Sequence, residues 1–255
     1  MEAINIIYED GDLLVCFKPA GVPTQTAALG TPDMVSLVKS YFVKQGSLRD
    51  PYLGLVHRLD QPVSGLLVFA KNKQAASLQI KEKHYYALCL GEVVEKEGVL
   101  KHQMWKDPKT NKAEIVKEEG EGSRKEKTVL TAERKNKRAK KGKEEKNPSQ
   151  IKEAVLFYQV KEQRQDCSLL QISLITGRFH QIRAQFSYIG HPLLGDLKYG
   201  NEDSKLLSSQ KGISTIALCA YEVSFLHPRI KKEMKFQLPH GLLPPWISTE
   251  EKEKR

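Results

Sequence analysis

His57-Arg58-Leu59-Asp60 puts two basic groups and one carboxylate into four consecutive positions. Gln61-Pro62-Val63, a Ser64-Gly65 turn and the apolar run Leu66–Ala70 follow. This order reads as a charged loop delivered onto a buried strand, a common way to place reactive groups on a rigid scaffold. Asp60 can attack an electrophilic carbon such as the anomeric carbon of a sugar, serve as a general base, or cap a turn and pair with Arg58. No second carboxylate lies nearby in sequence, so the paired-acid arrangement of a glycosidase is not indicated. A protein-kinase catalytic loop is excluded. It needs an Asn five residues after its Asp, where this chain has Gly65.

Thr176-Gly177-Arg178-Phe179-His180-Gln181-Ile182-Arg183 is a second cluster, joining a strand to a helix. Helix N-termini attract anions, and the planar fork of Arg178 can hold a carboxylate or phosphate bidentately. The alternative is an arginine on a wet helix face. In Lys83-His84-Tyr85-Tyr86-Ala87, a cleft-facing tyrosine can stack on a base, donate a hydrogen bond or move a proton; packing is the competing use. Gly195-Asp196-Leu197-Lys198-Tyr199-Gly200 reads as a tight turn, too generic to assign a function.

The elements that must position these groups are short. Leu13–Phe17, Leu66–Ala70, His84–Leu90, Ala154–Val160, Leu169–Ile175, Thr215–Leu226 and Met234–Leu238 read as strands, with Leu66–Ala70 buried on both faces. Tyr85 and Tyr86 must then point to opposite sides of a sheet. Helical spacing predicts helices over 33–43, over Lys73–Lys81, and through Phe179, Ile182, Phe186 and Ile189, the last stopped by Gly190. Strands outnumber helices and often follow one another, so the fold class is α+β with a mixed, largely antiparallel central sheet and flanking helices and loops.

The 255 residues carry 41 Lys and Arg against 31 Asp and Glu. This balance favours a polyanionic partner, nucleic acid ahead of a membrane surface. No apolar run approaches the roughly 20 residues that span a bilayer, and no secretory leader is visible. Cys16, Cys89, Cys167 and Cys219 are scattered, which predicts buried free thiols, no zinc site, and a cytoplasmic protein. The Lys/Arg-rich stretch at about 117–150 holds eight basic residues and two acidic ones between Arg134 and Lys146. It reads as an insertion, either a solvated loop or an RNA-contacting arm. No heptad pattern or extra apolar face is evident, so a monomer is expected.

Together the motifs resemble the RluA family of RNA pseudouridine synthases. The resemblance runs from Ile6-Ile7-Tyr8-Glu9-Asp10 through Lys18-Pro19-Ala20-Gly21 to Phe225-Leu226-His227-Pro228. It is carried by the HRLD-x-x-x-SG-L-L-x-FAK segment, by Thr-Gly-Arg-x-His-Gln-Ile-Arg, and by Gly-His-Pro-Leu-Leu-Gly-Asp with Tyr-Gly. It implies isomerisation of specific uridines in structured rRNA or tRNA, without cofactor or metal. It also implies Asp60 as catalytic aspartate, Arg178 as the arginine that pairs with it, and Tyr85 as the active-site tyrosine. Arg58 matches the residue that fills the space of a flipped base, with His57, His180, Gln181 and Arg183 beside it as RNA-binding groups. Val63 stands where many members have Thr. The expected organisation is one catalytic domain over 1–247, a charged tail over 248–255, and no S4-type RNA-binding domain. Two other readings stay open: a non-catalytic RNA-binding protein that keeps the pocket for docking, and an RNA glycosidase that releases uracil.

Overall fold

The computed structural model describes residues 4–26, 30–46, 50–116 and 150–247. The basic insertion, except its last residue, and the tail lie outside the described residues. Eleven strands form one sheet: β1 (Ile6–Glu9), β2 (Leu13–Lys18), β3 (Gly54–Leu55), β4 (Ser64–Ala70), β5 (Ile80–Leu90), β6 (Glu97–Asp107), β7 (Lys112–Ile115), β8 (Lys152–Arg164), β9 (Cys167–Leu174), β10 (Leu218–Leu226) and β11 (Glu233–Gln237). Among the described residues three α-helices accompany them: α1 (Met34–Lys44), α2 (Gln181–Tyr188) and α3 (Glu202–Gln210).

The sheet order is β1-β2-β4-β10-β5-β9-β8-β6-β7, with β3 also on β4 and β11 also on β10. Every pairing is antiparallel except β4 with β10, which meet in parallel over Ser64–Cys219 and Gly65–Ala220. This seam divides the sheet into two antiparallel parts. The expected Ser64-Gly65 turn is therefore the start of β4, and the turn lies earlier, where the Val63 N–H donates to the Asp60 carbonyl. Gly65 has φ +138°, and a Cβ there would collide with the backbone of Ala220. Only glycine lets the strands approach so closely at that backbone angle.

All of β4 is buried, as its unbroken apolar run predicts. Leu67 and Phe69 pack on one face with Tyr85, Ile172, Ile182 and Phe186. Leu66 and Val68 pack on the other with Tyr221, Val223 and Phe225. Each such side chain contributes about 1.5–3 kcal/mol on burial. Helix α1 closes the first face through Met34, Val38 and Phe42. It starts with a capping box in which Asp33 and Ser36 bond each other's backbone N–H groups. The four cysteines are buried and free, and among the described residues no helix is long and apolar enough to cross a membrane.

Two expected helices differ. Residues 73–81 form only a single 3-10 turn, Ala75–Ser77. Asn72 accepts from the Ala75 N–H and donates to Asp12, and Ile80 already pairs with Phe225 in the sheet. Sheet pairing thus overrides the local helical spacing. Phe179 does not join the buried face of α2, because the helix starts after it. His180 sits at the N-cap with φ +52°, and that left-handed residue turns Phe179 outward.

Candidate active site

Asp60 lies on the loop 56–63 between β3 and β4, and its neighbours fix that loop at several points. The Thr24 hydroxyl donates to the Leu59 carbonyl at 2.8 Å and accepts the Leu59 N–H at 3.2 Å. Lys18, with no exposed surface, donates its Nζ to the carbonyls of Pro19 and Gln61, each at 2.9 Å. Burial drives Lys18 down to about 7, against the pull of nearby Asp60. The carboxylate therefore sits on an over-determined backbone, as precise chemistry requires.

The cation against Asp60 is Arg183. Its Nη1 donates to Asp60 Oδ2 at 2.9 Å, while its Nε and Nη2 grip the two oxygens of Asp196, both at 2.8 Å. Asp196 also accepts the backbone N–H groups of Lys198 and Tyr199. Burial disfavours both charges in the Arg183–Asp196 pair, yet their mutual bonds hold Asp196 below and Arg183 above the ordinary values. Arg183 is thus a fixed positive group. Its fork is spent on Asp196, and one remaining N–H is aimed at Asp60.

This arrangement corrects the expectation for Arg178. That side chain is exposed, and its Nε donates to the Glu153 carbonyl at 2.8 Å. It lines the cavity but does not pair with Asp60. Arg183, expected among the RNA-binding groups, is instead 6 % exposed and holds the carboxylate. Asp196 is an addition to the expected site: it closes the Gly190–Asp196 motif that helps carry the family resemblance, but that motif gives it no role.

A cavity of about 410 Å³ opens beside Asp60, lined among others by Arg58, Lys83, Tyr85, Arg178 and His180. Tyr85 arrives from β5 on the inner face, while Tyr86 stacks on Tyr221 on the other side. Burial, and then the Asp60 charge, raises the Tyr85 pKa, so the phenol stays protonated at neutral pH. His57 also lines the cavity. Its Nε2 faces the Val68 N–H at 3.3 Å, and burial with nearby Lys83 lowers it to about 3. The exposed Arg58 reaches Gln25 at 3.3 Å. Gln181 is 3 % exposed; its Oε1 accepts from the Thr176 hydroxyl and the Arg178 N–H, so it latches the loop from within.

His180 stands over Asp60, with Nε2 at 3.6 Å from Oδ2. Tyr199 accepts the Ala113 N–H at 2.6 Å and lies 2.9 Å from His180 Nδ1. With its oxygen engaged, Tyr199 donates its own proton to Nδ1, which leaves an N–H on the Nε2 facing Asp60. Burial outweighs the attraction of Asp60 and pushes His180 down to about 4. The imidazole is neutral at pH 7.

Among the described residues, Asp10, Asp12 and His227 form one cluster with metal-ligand chemistry. It lies at the opposite end of β2 from Lys18. His227 Nδ1 accepts the N–H groups of Arg229 and Ile230, so its Nε2 carries the proton donated to Asp10. Asp12 is taken by Arg229 and Asn72. These donors already satisfy the cluster.

Comparison with known proteins places the chain among relatives in sequence and fold. Residues 12–188 match the family model described as RNA pseudouridylate synthase. The chain is 32 % identical over 251 residues to an uncharacterised RNA pseudouridine synthase of Aquifex aeolicus, covering 92 % of this chain and 69 % of that protein. It is 31 % identical over 245 residues to ribosomal large subunit pseudouridine synthase C of Vibrio vulnificus, covering 92 % and 65 %. The chain thus spans about two thirds of these relatives' length. Human RNA pseudouridylate synthase domain containing 1 has a similar fold, with TM-score 0.66, 21 % identity, and coverage of 96 % of this chain and 86 % of that one.

Proposed function

The chain belongs to the RluA family of RNA pseudouridine synthases, which are isomerases, and from that premise we propose that it converts specific uridines of structured ribosomal or transfer RNA to pseudouridine, with Asp60 as the catalytic carboxylate. The supporting observation is a carboxylate held through one oxygen by a clamped arginine at the wall of a cavity. Among the described residues Asp60 Oδ1 makes no hydrogen bond, which leaves it for substrate.

The reaction breaks the N1–C1′ bond, turns the uracil, joins C5 to C1′, and moves the C5 proton away as N1 gains one. Asp60 either attacks C1′ or takes a proton from C2′ to give a glycal. Arg183 keeps the carboxylate aimed for both routes. Tyr85, a neutral phenol against the cavity, stacks on the uracil and serves proton transfer. A base inside a stacked loop must leave the stack before its glycosidic carbon is reachable. Arg58, exposed at the cavity mouth, is placed to take the vacated space. Arg178 and the other cations of the rim hold phosphates, so affinity falls as salt rises.

The test is pseudouridine mapping of RNA from cells lacking the gene, rescued with the native chain or Asp60→Ala. A site that vanishes and returns only with the native chain establishes the reading. Rescue by Asp60→Ala, or no changed site, overturns it in favour of a binding protein. Free uracil among the products would identify a glycosidase.

A further inference from the structure

Beyond the uridine cavity lies a second groove of about 610 Å³. The two share Gly177, Arg178 and Phe179 as a common wall. Its outer side is built by the β6–β7 hairpin and the start of β8, through Trp105, Lys106 and Lys152. Among the described residues, three cations and no carboxylate line it. A groove of that sign, continuous with the catalytic cavity, suits a polyanion that runs on from it.

Phe179 supplies a second kind of contact. An aromatic ring on an exposed loop is costly to leave wet, yet Phe179 is 37 % exposed. It stacks on His180 with centroids 3.7 Å apart and planes 22° apart. Lys106 Nζ sits over the ring at 4.5 Å from its centroid. An imidazole so close leaves no room for an ammonium on the same side, so Lys106 covers the opposite face. That ammonium is on a flexible, exposed stem. It can swing off the ring to a phosphate and uncover a flat apolar surface as it does so. The column His180–Phe179 begins within 3.6 Å of Asp60, so a base added to it lies one step along the strand from the reacting uridine.

We propose that this groove is a subsite for the nucleotide flanking the target uridine. Phe179 is the stacking platform for its base, and Lys106, Lys152 and Arg178 hold its backbone. The inference rests on the RNA-modifying reading above and adds a residue that governs the local sequence and shape the enzyme accepts. Stacking tolerates any base but favours purines by area, and it demands an unpaired neighbour.

The test uses the full chain and a fluorescein-labelled decauridylate, with affinity measured by anisotropy at low salt. Phe179→Ala should weaken binding about tenfold, and Phe179→Tyr should stay within about twofold of the native chain. In Phe179→Trp, the emission added to that of the native tryptophans should be quenched in step with binding by unlabelled decauridylate. Equal affinity of Phe179→Ala and the native chain overturns the subsite, and so does added emission that bound RNA leaves unchanged. If decauridylate is not bound while cellular RNA is still isomerised, the subsite falls and the enzyme stands. If neither binding nor isomerisation is found, both fall.

Discussion

Two clusters of this molecule are made from the same parts. One holds Asp60, Asp196, His180 and Arg183; the other holds Asp10, Asp12, His227 and Arg229. In the second, Asp10 accepts from the Tyr8 hydroxyl, the His227 ring and the backbone N–H groups of Asp12 and Leu13. Burial opposes its charge, but these donors bring it down to about 2. In the first, Asp196 takes the full grip of the arginine, while Asp60 is left with one short bond and an adjoining cavity. Residue types alone do not separate a brace from the reactive centre we propose. The difference is an acceptor left unsatisfied where a substrate can reach it.

The sharpest way to break this comparison is to neutralise one carboxylate in each cluster. Asp60→Asn should lower turnover at least about a thousandfold while changing stability little. If turnover survives within tenfold, the site is misassigned. Arg183→Met comes next. It removes the partner of Asp196 and leaves a buried charge unpaired, at a cost of about 3–5 kcal/mol in urea unfolding. Arg178→Met should leave unfolding unchanged within about 0.5 kcal/mol and act only on RNA affinity. Equal destabilisation by the two would refute the division of labour between them. Asp10→Ala should cost about 1–3 kcal/mol and leave activity per folded molecule intact.

The smallest effect concerns pH. His57 and His180 have folded values near 3 and 4, below the ordinary 6.5. The unfolded chain therefore binds more protons as pH falls from about 6.5 to 4, so stability is full above 6.5 and declines below it. Each histidine adds a slope of up to about 1.4 kcal/mol per pH unit. His57→Gln should flatten the fall in melting temperature across that window; an unchanged profile would show that His57 titrates freely.

Much of the fold is legible in the sequence. The apolar run at Leu66–Ala70 and the alternation at Leu170, Ile172 and Leu174 specify strands, because burial on one or two faces writes itself into sequence. Asp60 stands out for its dense polar setting, and Tyr85 for its place on a strand. The identity of the arginine against Asp60 is not legible. Arg178 and Arg183 flank the same helix start, and which one reaches the carboxylate depends on the left-handed residue between them, His180. Asp196 is hidden because its role is to satisfy a buried arginine thirteen residues earlier in the chain, a contact no local pattern encodes. The lost helix at 73–81 shows the same limit, since a distant strand claims its end at Ile80.

The two-residue parallel seam at Ser64–Cys219 and Gly65–Ala220 has a consequence for maturation. Asp60 and Lys18 are delivered from one side of it, and Tyr85, Arg183 and Asp196 from the other. All antiparallel pairings lie within one side or the other, so circular dichroism reads the two ladders and not their docking. The catalysis we propose depends on that docking, because Asp60 meets Arg183 only once the two sides are joined. Turnover is thus a more exacting assay of correct assembly for this protein than any measure of its secondary structure.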